Sequence, residues 1–438
     1  MVIHKTSRAN KLKNVVKNVM EKITKEGYAK NLIFSYLPLL TSILSFIIVT
    51  PLLLSNLGKQ DFGLYLVVSS IFSYLSLCNL GLPQTVIRKL STNEKNKILS
   101  DNELVIVISC FFYFILISMF SYGVILILSK IFSLNESFYY LKILSFSLFF
   151  KLGFELLDAI SKSRNNYYVG RIFNAINMML TSLLIILSVS NGNGITSVFI
   201  IITICNFLLF VSYFLHVNKV YAINYGRKYV SWFVFKELVP SSFWYMMGGV
   251  GSIIIFQIDN VIIASVLGAS SVALFGILFK VGDIIRQVLA SMSNIMFTKI
   301  AYSKMENEKL LKQHNNLIAI TFSIALFSIF LLWLFGFDLI FFWIGIDSSN
   351  VSFLLMVSIA LYIIIFSLNH VTSVYLSALN LHKKAVIVGY LQAILNISMS
   401  VIMLNITSKP EWSLISTILA MLMTNFWYNL YLLNKRLR

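Results

Sequence analysis

The chain has 438 residues, of which 58% are hydrophobic, 14% aromatic and only 12% charged. Soluble domains carry roughly a quarter charged residues, so this composition excludes an ordinary soluble enzyme and a disordered chain. The net charge of +18 would suit nucleic acid, but the basic residues are spread between apolar runs on one side, and no nucleic-acid partner is expected.

The first element is residues 11–23, KLKNVVKNVMEKI, where Leu12, Val15, Val16, Val19 and Ile23 share one helical face. The pattern fits an amphipathic helix on a membrane surface or a basic tail that sets topology. Twelve apolar runs follow, at about residues 31–55, 62–83, 103–130, 138–161, 168–189, 195–215, 238–265, 270–298, 316–336, 350–379, 385–405 and 412–433. Each can cross a hydrocarbon core about 30 Å thick as a helix. None alternates with period two, as barrel strands would. The first run is too long for a cleavable signal and should remain as a span. Cys78, Cys110 and Cys205 all lie in apolar runs, far apart, and read as small buried side chains.

The fourth run places Lys151, Glu155, Asp158 and Lys162 at steps of four, three and four, on one stripe. This is either an internally neutralised helix, with Lys151 paired to Glu155, or a polar wall of a cleft. The seventh run holds Gly248, Gly249 and Gly251 near its middle and Asp259 further on. The eighth holds Lys280, Asp283 and Arg286 on one broad face. Asp259 and Lys280 could pair across neighbouring helices, and guanidinium suits phosphate. An ionisable residue deep in a span costs several kcal/mol against lipid, so all of these should face a partner or a wet cavity. His370, in the tenth run, reads as a buried polar filler.

One phrase occurs twice. NLGKQDFGLY, from Asn56, and VLGASSVALF, from Val266, both join the first two spans of a six-span half, 210 positions apart. The register persists to Arg88-Lys89-Leu90 against Thr298-Lys299-Ile300. The sequence therefore predicts an all-α polytopic membrane protein of about twelve helices, in two parallel six-helix lobes around a central cleft. The expected segments are a basic cytoplasmic region at 1–30, lobes at 31–216 and 238–438, and a linker at 217–237. Putting both termini in the cytoplasm collects the basic residues inside and leaves only Lys59, Lys130 and Lys409 outside. The longest outer connection should be residues 336–350, and no segment between spans is large enough for a catalytic domain. Nor is there a GxxxxGK[ST] loop for ATP.

With these features in place, the segment NLGLPQTVIRKLS and the run FQIDNVIIASVLGASSVALFGILFKV resemble polysaccharide-transport proteins, and the closest likeness is to the O-antigen (Wzx-type) flippases. Those belong to the multidrug/oligosaccharidyl-lipid/polysaccharide (MOP) exporter superfamily, and the likeness covers essentially the whole chain. It implies alternating access at a V-shaped cleft in the bacterial cytoplasmic membrane and transfer of an undecaprenyl-pyrophosphate-linked oligosaccharide. It also implies membrane lipids, a polysaccharide polymerase and a chain-length regulator as partners. Under this likeness Lys151, Lys280 and Arg286 would meet pyrophosphate and sugar. Arg88, Lys89, Lys162, Arg164, Arg171 and Lys299 would line the cytoplasmic mouth. Glu155, Asp158, Asp259 and Asp283 would couple transport to a proton or sodium gradient, or pair structurally. No metal or other cofactor is expected. The rivals are a cation-coupled drug exporter of the same superfamily and an integral-membrane polysaccharide enzyme.

Overall fold

The computed structural model describes residues 34, 36–91, 98–131, 135–164, 166–223, 226–302, 307–345, 351–379 and 381–437; the expected amphipathic helix at 11–23 and the side chains of Gly248, Gly249 and Lys299 lie outside what is described. The described residues are almost wholly helical. In hydrocarbon every backbone N–H and C=O needs an internal partner, and a helix satisfies nearly all of them within its own segment.

The first helix, α1 (Leu37–Leu75), covers two expected spans, and only Gly58 departs from helical geometry, at φ 76° and ψ 173°. After the left-handed pair Leu80 and Gly81, α2 (Leu82–Leu90) extends the second span. Leu82, Val86 and Leu90 are fully buried there, while Arg88 and Lys89 are exposed. The segment after residue 83 is therefore a helix with one apolar face, where the hydropathy pattern ended the span. The first half continues through α3 (Asp101–Ile131), α4 (Asn135–Ser163), α5 (Tyr167–Ser190) and α6 (Ile195–Tyr221).

The second half opens with α7 (Trp232–Leu267) and α8 (Ala269–Tyr302), separated only by Gly268 at φ 87° and ψ 161°. Gly58 and Gly268 thus adopt nearly the same conformation, in a region open essentially to glycine alone. The twice-spoken phrase has a backbone counterpart. Then come α9 (Asn307–Leu331) and α10 (Phe337–Ile344), joined by a π-turn at Leu332–Gly336, α11 (Phe353–Ala378) and α12 (His382–Thr407). A second π-turn, Leu422–Phe426, joins α13 (Glu411–Met421) to α14 (Trp427–Leu437). With α1 counted twice and each π-joined pair once, this makes twelve passes. Most of the expected loop at 336–350 is helix, because FDLIFFWI carries the apolar run onward. At its end the Trp343 indole donates to the Ile47 carbonyl at 2.8 Å.

Each half has its own core. The first centres on Leu148, Leu152, Leu156, Phe199 and Tyr213, the second on Phe275, Ile359, Tyr362, Ile363 and Ile418. Helix α7 belongs to both: Phe235 and Leu238 sit in the first core, Ile255, Ile262 and Ile263 in the second. One helix thus contributes to both apolar clusters. At the end of the molecule carrying Gly58 and Gly268, α1 and α8 cross closely. A Cβ on Gly63 would stand 1.8 Å from the Ala269 carbonyl oxygen, and one on Gly276 would stand 2.6 Å from the Leu66 side chain. Small residues let helix backbones meet where no aqueous hydrophobic drive exists. Just below, Asn260 Nδ2 donates to Ser70 Oγ at 3.0 Å, and Ser70 donates to Gln257 Oε1 at 3.1 Å. Around the outside, Phe120, Ile127, Phe146, Phe327 and Leu339 are exposed, as a lipid-facing belt requires.

Because space is open around both Gly58 and Gly268, alanine there meets only backbone strain. Gly58→Ala and Gly268→Ala should each destabilise the protein by about 1–3 kcal/mol, seen as a lower melting temperature in detergent. Gly123→Ala, in the middle of α3 with open space around it, should leave the melting temperature equal or raise it. Equal behaviour of all three would contradict the paired-glycine reading.

Candidate functional site

The polar side chains of the spans collect into three groups. On α4, the sequence stripe faces α1 and α5. The Lys151 ammonium lies 5.0 Å from the centre of the Phe72 ring, and Glu155 Oε2 accepts a hydrogen bond from Asn79 at 2.8 Å. These contacts with the end of the second span replace the Lys151–Glu155 ion pair that the spacing suggested. Asp158 pairs with Lys162 at 2.5 Å. Its other oxygen is buried against Gly170, where a Cβ would come within 1.9 Å. Glycine at 170 is what lets this carboxylate lie against α5. Summed over its four residues, the stripe is neutral.

On α8 the three charges do come together. Asp283 Oδ1 accepts from Arg286 Nη2 at 2.7 Å and Nε at 2.9 Å, and from the Tyr362 hydroxyl at 3.1 Å. Its Oδ2 accepts from Gln287 at 2.7 Å, with the Lys280 ammonium 3.9 Å away. Two cations against one anion leave this cluster with a net charge of +1. The Lys280 side chain is 41% exposed, so its ammonium stands open while Arg286 is held. An Arg–carboxylate fork of this kind fixes the guanidinium plane and leaves its remaining N–H groups directed elsewhere.

Asp259 forms the third group, and it is not paired with Lys280. It is 2% exposed and accepts from Ser413 Oγ at 2.6 Å, while Thr417 Oγ1 lies 3.0 Å from Oδ2. The same Thr417 hydroxyl lies 2.8 Å from Asn396 Oδ1 and 3.1 Å from the Ser413 carbonyl. One hydroxyl proton cannot serve three acceptors, so oxygens crowd this carboxylate, while the Asn396 amide N–H has no partner among the described residues. Hydroxyl groups more than 150 residues away in sequence hold this carboxylate instead of a cation, which no local spacing discloses.

The residues assigned to the mouth separate. Arg88 is exposed, Arg171 is half-buried, and Lys89 makes an exposed pair with Glu237 at 3.2 Å. Arg164 is buried, forks onto Glu103 at 2.9 and 3.0 Å, and donates to the Leu90 carbonyl at 2.7 Å. It ties α2, α3 and α4 together, a pairing across 61 positions that periodicity cannot reveal. The three cysteines are free, with Cys110 and Cys205 buried as expected.

Inside the second lobe lies a cavity of about 400 Å³, walled by Met247, Arg286, Asn369, Gln392, Asn425 and Asn429 among others. The four amides escaped the charge-based reading of the sequence. Their signal was present: Gln392 and Asn396, and Asn425 and Asn429, recur at four-residue steps within apolar runs.

A family model described as "Polysaccharide biosynthesis protein" matches residues 56–347. The chain belongs to that family. No curated protein sequence matches it. Among solved structures, an inward-facing multidrug-resistance MATE transporter of the MOP superfamily superposes with a TM-score of 0.71 at 13% identity, over 91% of this chain and 95% of that one. The lipid II flippase MurJ, in an inward closed conformation, gives 0.71 at 15% identity, over 92% of this chain and 87% of that one. A MOP superfamily transporter from Pyrococcus furiosus gives 0.64 at 12% identity, over 94% and 96%. The family member described here therefore has the MOP transporter fold and is a multi-pass membrane protein.

Breaking a buried ion pair by removing one partner costs about 3–5 kcal/mol. Arg164→Ala should lower the melting temperature and the amount of protein in the membrane, whereas Arg88→Ala should change neither. Normal abundance and melting of Arg164→Ala would refute its assignment as a brace.

Proposed function

We propose that this protein is a flippase that moves an undecaprenyl-pyrophosphate-linked oligosaccharide across the bacterial cytoplasmic membrane, for O-antigen or another surface polysaccharide. The observation that carries the reading is the net positive Lys280–Asp283–Arg286 cluster, placed within the spans of a polysaccharide-biosynthesis family member. A pyrophosphate with sugars cannot cross hydrocarbon alone, because burying its charges and hydroxyls unpaired is prohibitive. Arg286 and Lys280 supply donors for the phosphates, with Asp283 holding the guanidinium in place, and Lys151 lies on the wall of the other lobe. The prenyl tail stays in lipid, between the lobes. The exposed Arg88 and Lys89 and the half-buried Arg171 draw an anionic headgroup to the cytoplasmic mouth. On this reading the α1–α8 crossing at Gly63 and Gly276 is the outer seal of an inward-facing state.

The energy source in this proposal is a cation gradient acting at Asp259. Among the described residues, no group of three His, Cys, Asp or Glu gathers to hold a metal ion. The oxygens of Asp259, Asn396, Ser413 and Thr417 suit a single proton or sodium ion. Binding there would neutralise the carboxylate among these oxygens, drawing α7 onto α12 and α13.

A strain lacking the protein should lose surface glycan, and the wild-type gene should restore it. Arg286→Lys, which keeps a positive partner for Asp283, and Lys151→Ala should each reduce export at least about tenfold per molecule in the membrane, equivalent to one lost charged contact. Asp259→Asn should abolish dependence on the proton or sodium gradient. Wild-type export from both cation variants would defeat the site assignment. Normal surface glycan in the deletion strain, with lost drug efflux, would replace the flippase by an exporter of small molecules.

A further inference from the structure

Helix α12 carries Gln392, Asn396 and Ser400 at four-residue steps. The last pass carries Ser413, Thr417, Asn425 and Asn429 along a matching stripe, with Met421 between them. The two stripes face each other. Ser413 and Ser400 lie 3.5 Å apart, the Thr417 hydroxyl lies 2.8 Å from Asn396 Oδ1, and Asn425 Nδ2 donates to Gln392 Oε1 at 2.7 Å. Asn429 Nδ2 continues the line to Asn369 Oδ1 at 3.0 Å. One end of this seam is the Asp259 cluster. The other end is the wall of the 400 Å³ cavity, a volume in the usual range for small-ligand sites.

The amides at the cavity end are incompletely used. Gln392 is 0% exposed, Asn429 2% and Asn425 7%. Yet Gln392 Nε2, Asn425 Oδ1 and Asn429 Oδ1 have no hydrogen-bond partner among the described residues. Turning any one of these amides over would break the bond it makes and leave more atoms unpartnered, and turning both amides of the Gln392–Asn425 pair over would still leave one donor and one acceptor without a partner. Buried polar groups left this way are costly, and helices that needed only to pack would carry apolar residues there. These atoms are a donor and two acceptors, on side chains that line the cavity together with Ser373, Ser377 and His370. An anion would be repelled by the bare carbonyl oxygens, and a cation by the amide N–H. A group that both gives and accepts hydrogen bonds at short intervals fits both, as sugar hydroxyls and acetamido groups do. Phe366 offers an apolar wall, and Arg286 stands on the cavity's lining. The π-turn that contains Asn425 is of a kind frequent at functional sites.

We propose that this cavity is a sugar subsite, taking the ring next to the pyrophosphate while Arg286 holds the phosphate. The proposal rests on the flippase reading and adds where, and by what chemistry, the glycan is held.

The test is lipid binding to the purified full-length protein in nanodiscs. The probes are lipid-linked oligosaccharide extracted from a strain lacking this protein and undecaprenyl pyrophosphate without sugar. Wild-type protein should bind the glycosylated lipid more tightly, by about tenfold for one or two added hydrogen bonds. Gln392→Leu and Asn425→Leu should bring it down to the affinity of the bare lipid and leave bare-lipid binding within about twofold. Ser377→Met, which keeps every amide and narrows the cavity from its lining, should do the same. Variants that keep the preference would show that the cavity holds only solvent, and equal binding of both lipids by wild type would also overturn the subsite; in both cases the flippase reading survives. Binding of neither lipid by wild type would instead overturn the flippase reading, and the subsite with it.

Discussion

A charged side chain inside a bilayer must find its partner within the protein, and the second lobe is organised around one such partnership. Asp283 accepts from Arg286, Gln287 and Tyr362 and has Lys280 nearby. That single carboxylate fixes the direction of Arg286 on α8 and ties α8 to α11. Without it, two cations on one helix face would each have to be solvated by lipid headgroups or water. With it, the cluster is rigid and still positive. The same demand shapes the other polar groups: Lys162 answers Asp158, Glu103 answers Arg164, and hydroxyls on α13 answer Asp259. The Glu103–Arg164 and Asp259–Ser413 answers each join separate helices, so polar groups that a membrane tolerates least also set how passes are arranged.

The two lobes use this logic differently. In the first, charges cancel along one stripe of α4, and Arg164 braces the basic end from within. In the second, a net charge is kept at Arg286, and a line of neutral amides and hydroxyls leads from Asp259 to the cavity that Arg286 lines. Position 49 of the first lobe, which corresponds to 259, is a valine packed in the shared cluster where the lobes meet. The halves therefore share a backbone plan, down to the conformation of Gly58 and Gly268, but not a polar interior. This asymmetry suits a protein in which one lobe carries the binding and coupling chemistry and the other provides a counter-surface.

Much of the architecture was legible in the sequence because it is written in short range. Run length gave the twelve passes, and the Leu-Gly phrase gave the duplication. Spacing gave the stripes on α4 and α8, and the Asp283–Arg286 pair lies three residues apart. What was not legible depends on contacts between distant positions. Arg164 looked like a mouth residue until Glu103, 61 positions away, proved to be its partner. Asp259 had a plausible cation in Lys280 next door on α8, but the hydroxyls of Ser413 and Thr417 reach it instead. The amides of α12 and the last pass carry no charge, so a search for charges in apolar runs passed over them. Phe337–Ile344 is as apolar as any span, and chain position alone suggested a loop there.

The proposed function makes one demand on the protein in action: its polar interior must carry a phosphate-bearing headgroup from one leaflet to the other. Reconstitution into proteoliposomes with fluorescent lipid-linked oligosaccharide in the starting leaflet measures this directly, by the fraction that becomes accessible to a quencher or glycosidase on the opposite side. The account predicts transfer that requires the wild-type protein and is driven by a sodium or proton gradient. Transfer no faster than in protein-free vesicles, with the protein folded and the gradient intact, would contradict it.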